Sequence, residues 1–240
     1  MKDRFRSSHT SENQIFYKFY SVEEINPKLN ILVENFDKIH QEFIDNKDKL
    51  IWTNWHGSTG YRGENTTPYE GWQIAGLCAE YPNEIIGMNV ETISTLLEPY
   101  EKNYQQKLYP NSDKNIIFTE NSKHFPILME CLDQIGIRKR IAISVVYPGK
   151  SIKWHIDADP EDEKNVTIRG LFGLDIHPEK DHDCYICLGN ESEYEKKYFR
   201  NNEFVFFWGK MGHCVINTLQ TPRYVICLDQ DVSKDYLRTL

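Results

Sequence analysis

The chain has 240 residues and a formal net charge of -8 at neutral pH, a length that supports one well-buried domain and is marginal for two independent cores. Its acidic balance, with a pI near 5.5 and basic residues only in short runs such as Arg138-Lys139-Arg140, opposes binding along a phosphate backbone. With 40% hydrophobic, 27% charged and 13% aromatic residues, the composition is that of a folded protein. No uncharged apolar run approaches the roughly 18 residues that span a bilayer.

The N-terminal stretch MKDRFRSSHTSENQ has no apolar h-region, so the expectation is a cytoplasmic protein without a membrane segment. Six cysteines are present, Cys78, Cys131, Cys184, Cys187, Cys214 and Cys227. In a reducing compartment they are expected as free, mostly buried thiols.

Residues 21–46 place Ile25, Leu29, Leu32, Val33, Phe36, Ile39 and Phe43 at three- and four-residue spacing, which predicts an amphipathic packing helix interrupted near Pro27. Residues 52–69 are rich in Gly, Thr, Asn and aromatics and read as a long loop bordering a site. GWQIAGLCA follows as a strand, and helical spacing returns over residues 90–108 and 125–135. Residues 1–139 are therefore expected to be mostly helical support with substrate-side elements.

From residue 140 the pattern changes to short β-branched and aromatic runs: RIAISVVY, SIKWHI, VTIRGLFGLDI, CYICLG, EFVFFW, HCVINT and RYVICLDQDV. Turn material such as Pro148-Gly149, Gly189-Asn190, Asn201-Asn202 and Thr221-Pro222 separates several of them. Seven or eight closely spaced strands predict an antiparallel jelly roll or barrel over residues 140–232. No repeat, low-complexity tract or hinge divides the halves, so residues 1–240 are expected to share one core as a single domain.

Within these runs His155-x-Asp157 lies at a strand end, where residues i and i+2 point to one side. His213 opens a later run, which suits a third ligand from another strand. Two imidazoles and one carboxylate on one face are the ligand set of a redox-active iron that leaves positions for further ligands. Arg223 starts the strand after the Thr221-Pro222 turn, which would bring it beside His213. A dicarboxylate that chelates iron through a 2-oxo acid end needs a buried cation at its far carboxylate, and arginine offers a planar bidentate fork.

The stretches SVVYPGKSIKWHIDADP, NVTIRGLFGLDI and NNEFVFFWGKMGHCVINTLQTPRYVICLDQDV together resemble the aspartyl/asparaginyl β-hydroxylase branch of the 2-oxoglutarate/Fe(II) oxygenases. This resemblance covers roughly residues 140–232. It implies a cupin-like double-stranded β-helix flanked by helices, with Fe(II), 2-oxoglutarate and O2 as cofactors and succinate and CO2 as co-products. It also implies Ser144 and Arg223 at the distal carboxylate of 2-oxoglutarate and Arg169 at the carboxylate next to the oxo group. Strand alternation allows an inward Arg169, sharing one face with Leu171, Gly173 and Asp175.

Two positions depart from the branch's peptide hydroxylases. The animal members lack the carboxylate ligand that Asp157 would provide, whereas bacterial amino-acid hydroxylases commonly retain it. Leu171 stands where the peptide hydroxylases place a histidine. The expected reaction is hydroxylation of an unactivated C-H bond in a small-molecule substrate, an amino acid or derivative, free or carrier-bound. Asp157 disfavours halogenation, which needs that position for halide. A peptide Asp/Asn-type side chain is the alternative substrate, and a non-catalytic cupin-like metal- or ligand-binding protein is the alternative of another class. Trp72, Trp55 and Arg62 are candidate substrate contacts.

Among competing features, Asp159 shares strand parity with Asp157 but sits less well at ligand spacing. Cys184-x-x-Cys187, with His177 and His182 nearby, suggests zinc, yet i and i+3 on a strand point to opposite faces.

Overall fold

The computed structural model describes residues 18–54, 71–80, 111, 116–136, 139–157, 164–177 and 183–240. The expected helix over 90–108, and Trp55, His56, Tyr61, Arg62, Asp159 and His182, lie outside the described residues.

The N-terminal helical stretch is broken twice. Helix α1 (Val22–Ile25) starts on a capping box in which Ser21 and Glu24 satisfy each other's backbone N–H groups. Pro27 then opens a single 3-10 turn, as a residue without an N–H can at a helix start. Helices α2 (Asn30–Glu34) and α3 (Phe36–Asn46) follow, split at Asn35. Helix α4 (Pro126–Ile135) is joined to α3 by Glu42, whose buried carboxylate accepts from the N–H groups of Ile127 and Leu128 at 2.8 and 3.0 Å. This places a carboxylate on the otherwise unsatisfied first turn of α4.

The strands are β1 (Thr53–Asn54), β2 (Trp72–Glu80), β3 (Ile116–Phe118), β4 (Ile141–Val146), β5 (Ser151–His155), β6 (Asn165–Asp175), β7 (Cys184–Gly189), β8 (Tyr194–Tyr198), β9 (Phe204–Trp208), β10 (His213–Asn217) and β11 (Arg223–Ser233). A short helix α5 (Lys234–Leu237) closes the chain. The seven-stranded sheet runs β1-β2-β4-β11-β6-β9 with β3 on β2, and the four-stranded sheet runs β5-β10-β7-β8. All pairings are antiparallel. From β4 to β11 the chain thus passes back and forth between the two sheets, with β7 and β8 a hairpin in the smaller one, in the order of a double-stranded β-helix, the jelly roll expected from the run of short strands.

Among the described residues, the N-terminal half is not only helical. It also contributes β1, β2 and β3 to the larger sheet, and β2 pairs directly with β4 through Trp72↔Val146 and Ile74↔Ser144. Residues of both halves share one apolar cluster, with Leu32, Ile39, Phe43 and Leu128 beside Ile168, Phe206 and Ile226. Strand β8 escapes sequence reading because its residues, YEKKY, are polar and largely exposed. Among the described residues it pairs with β7 alone, and its lysines are of the kind that protect an edge.

One parity expectation is corrected. β6 slips by a residue against β11, so that Gly173 faces Val225 but Asp175 faces Tyr224. Arg169, Leu171 and Gly173 share the barrel face as expected, whereas the bulge turns Asp175 outward under α3. There Tyr224 packs on Phe43 with ring centroids 4.9 Å apart.

All six cysteines are free. No helix among the described residues is long and apolar enough to cross a membrane.

Candidate metal centre and anion pocket

His155 and His213 are brought together by register: they are directly opposed partners of β5 and β10, with ring centroids 4.1 Å apart. Each ring is fixed from behind. His155 Nδ1 lies 2.7 Å from the Lys153 carbonyl and His213 Nδ1 lies 2.8 Å from that of Met211. An Nδ1–H donated to a carbonyl leaves the Nε2 lone pair directed into the barrel. Burial, with the neighbouring His155 and Arg169, holds the His213 imidazole well below its ordinary pKa against the opposing Met211 bond. The ring is therefore neutral at physiological pH, as a metal ligand must be.

Asp157 follows β5, its backbone N–H donating to Gly209 O at 2.8 Å. Its carboxylate spans the two rings, with Oδ1 3.7 Å from His155 Nε2 and Oδ2 3.8 Å from His213 Nε2. The donor atoms of His155, Asp157 and His213 all lie within 4.8 Å of one another. Gly212 sets the approach to His213: a Cβ there would stand 2.3 Å from the Gly189 carbonyl oxygen, too close for any other residue without a backbone shift.

Arg169, expected at a co-substrate carboxylate, has protein carboxylates beside all three of its nitrogens. Its Nη1 lies 2.8 Å from Asp157 Oδ2. Its Nε and Nη2 bond both oxygens of Asp229 at 2.8 and 3.3 Å. Arg140 Nη2 also reaches Asp229, at 3.1 Å. Burial alone would push the Asp229 carboxyl up, but Arg169, Arg140 and Lys139 together hold it below the usual carboxylate range. The chain Asp157–Arg169–Asp229–Arg140 thus orients a carboxylate of the metal trio. Sequence reading missed Asp229 and Arg140, although β11 alternation puts Asp229 on the same face as Arg223.

Arg223 opens β11 opposite Val146 and is 1% exposed. Its Nη2 lies 3.5 Å from Ser144 Oγ, and Nε and Nη1 have no hydrogen-bond partner. The guanidinium stands 4.7 Å over the Phe199 ring, and no carboxylate pairs with it among the described residues. Burial lowers its pKa, only partly opposed by the thiols Cys184 and Cys227. A cation buried without a counter-charge costs several kcal/mol.

Trp72 joins this pocket to the metal trio. Its Nε1–H donates to Ser144 Oγ at 3.0 Å, and its ring centroid is 6.3 Å from that of His155. This places Trp72 between Ser144 and His155, on the anion-pocket side. Of the suspected zinc cysteines, Cys184 opposes Asn217 and Cys187 opposes Cys214, on opposite faces of the smaller sheet.

The double-stranded β-helix thus carries a His-Asp-His trio that could hold a metal ion, beside a buried arginine. Residues 33–231 match the family model for aspartyl/asparaginyl beta-hydroxylase, and the chain belongs to that family, whose members are 2-oxoglutarate-dependent hydroxylases. Among solved structures it is similar to a prolyl hydroxylase from Trichoplax adhaerens in complex with a hypoxia inducible factor oxygen degradation domain peptide fragment. That match is 13% identical, covers 90% of this chain and 93% of that chain, and has a TM-score of 0.46. A Cupin_2 domain of an XRE family transcriptional regulator from Enterobacter cloacae is also 13% identical, covering 38% of this chain and 79% of that one at a TM-score of 0.27. No curated protein matches the sequence.

Proposed function

We propose that the chain hydroxylates an unactivated C-H bond of an amino acid, free or carrier-bound. In this reading His155, Asp157 and His213 hold Fe(II), and Arg223 with Ser144 takes the distal carboxylate of 2-oxoglutarate. The observation that carries this reading is the fully buried Arg223, with two nitrogens lacking partners in a pocket linked to the metal trio through Ser144 and Trp72. Such a group calls for an anion, and a dicarboxylate that also reaches the metal fits both ends.

When bound, the iron and 2-oxo acid supply the oxidising power for the C-H step, together with O2. The chain's own residues orient and shield. Lys153 and Met211 carbonyls keep both imidazole Nε2 atoms facing inward, and the Arg169–Asp229 pair holds Asp157 in place. Trp72 donates to Ser144, so the Ser144 hydroxyl hydrogen is left to point at an incoming carboxylate. Because no acid–base step on carbon is needed, the inner face requires no general base.

Two positions favour a free or carrier-bound amino acid: Asp157 as a carboxylate ligand, and Leu171, buried on the inner face, where peptide hydroxylases resembling this chain have histidine. The family's description favours a second reading, a peptide Asp or Asn side chain. A panel of amino acids and Asp- or Asn-containing peptides, scored by succinate release and product mass, separates them. We expect succinate and a product 16 Da heavier with an amino acid. Turnover confined to peptides would transfer the reading to the second class, and no 2-oxoglutarate consumption with any substrate would overturn both.

A further inference from the structure

A second trio of donors lies outside the barrel, where α3 meets the end of β6. The bulge that turns Asp175 outward leaves its carboxylate 5% exposed and directed at two imidazoles from different elements. Asp175 Oδ1 is 3.4 Å from His40 Nε2 of α3 and 2.7 Å from His177 Nε2, two residues further along the chain. His40 is fixed by stacking on Phe36, with centroids 5.5 Å apart and planes 12° from parallel. No lysine or arginine pairs with Asp175 among the described residues. A buried carboxylate whose only described partners are two imidazoles has no permanent counter-charge among them, and such a group is costly unless one is supplied.

We propose that His40, Asp175 and His177 bind a divalent transition metal of the zinc class, forming a second site separate from the barrel centre. Two imidazoles and one carboxylate suit such an ion, with water in the fourth position. In a tetrahedral site with bonds of about 2.0–2.1 Å, neighbouring donors stand about 3.3–3.4 Å apart. His40 already stands at that separation from Asp175. His177 is too close and must swing outward, and its side chain, 62% exposed, is free to do so. The set is not pre-closed: among the described residues, only the barrel trio already has its donors gathered as a metal site requires. The ion would therefore draw the three together and tie α3 to the β6 end of the larger sheet. The competing account is that the two imidazoles only donate hydrogen bonds to Asp175.

The test is calorimetric titration of metal-stripped full-length protein with Zn(II). Wild type is expected to take two equivalents. His213→Ala should lose the barrel equivalent and keep the other, with Zn(II) still raising its melting temperature. His177→Ala, an exposed and fold-neutral change, should lose the second equivalent and keep the first, and His40→Ala should do the same. A single equivalent in wild type that His213→Ala removes would overturn the proposal. So would a second equivalent that persists in both His177→Ala and His40→Ala.

Discussion

The two sheets of the barrel divide the work differently. The smaller sheet supplies all three proposed metal ligands, from β5, the residue pair after it, and β10, and fixes them largely through backbone carbonyls. The larger sheet supplies the charges: Arg223, Arg169, Asp229 and Arg140 all stand on β4, β6, β11 or at their margins. A metal site built from neutral rings needs exact register, whereas an anion site needs a buried cation that the fold leaves unpaired. Damage confined to Arg223 on the larger sheet should therefore weaken anion binding and spare the metal.

The largest expected effect is on the smaller sheet. His213→Ala should remove the barrel equivalent of Fe(II), measured by anaerobic titration, because no other described donor can replace Nε2. On the larger sheet, Arg223→Met should weaken 2-oxoglutarate binding by on the order of 10²–10³-fold, the loss expected when a buried charge pair cannot form, with Fe(II) affinity unchanged. The same substitution should leave the ligand-free protein as stable or about 1–3 kcal/mol more stable, because it removes an uncompensated buried cation. Chemical denaturation with and without 2-oxoglutarate reads both signs.

Asp229→Asn sits between the two sheets' roles. It leaves Arg169 and Arg140 short of a buried partner, and an expected loss of about 3–5 kcal/mol of stability follows. Asp229 also carries a pH signature. Its folded pKa is depressed, so the stability it contributes is present above the unfolded carboxylate value and is lost as pH falls through the folded one. Wild-type stability should therefore drop steeply on acidification below about pH 4, and Asp229→Asn should flatten that drop. An unchanged acid profile would remove Asp229 from the clamp. The smallest effect belongs to Trp72→Phe, which deletes one donor to Ser144. A cost of about 1 kcal/mol, a few-fold in 2-oxoglutarate KM, is expected, with kcat nearly unchanged.

Much of this was legible in the residues. Short β-branched and aromatic runs marked seven of the eight barrel strands, and His155, Asp157, His213 and Arg223 were singled out by strand ends and spacing. What the pattern could not carry was register. The direct opposition of His155 and His213, and the bulge that removes Asp175 from the barrel face, depend on which residue pairs with which across strands distant in sequence. The Asp229–Arg169 clamp was hidden for a related reason: a charge alternating along a strand reads as solvent-facing until a second strand is known to bury it. β1 and β3 were missed because they are only two and three residues long. Trp72 was named as a candidate substrate contact but not as a neighbour of Ser144, a contact that required β2 to pair with β4.

The most direct test of the division between sheets is an anaerobic titration of Fe(II)-loaded protein with 2-oxoglutarate, following the weak visible charge-transfer band of the chelate. Wild type and Arg223→Met should reach the same band at saturation, the variant at a much higher 2-oxoglutarate concentration. His213→Ala should give no band. A band in Arg223→Met at the wild-type concentration, or no band in wild type, would contradict the account.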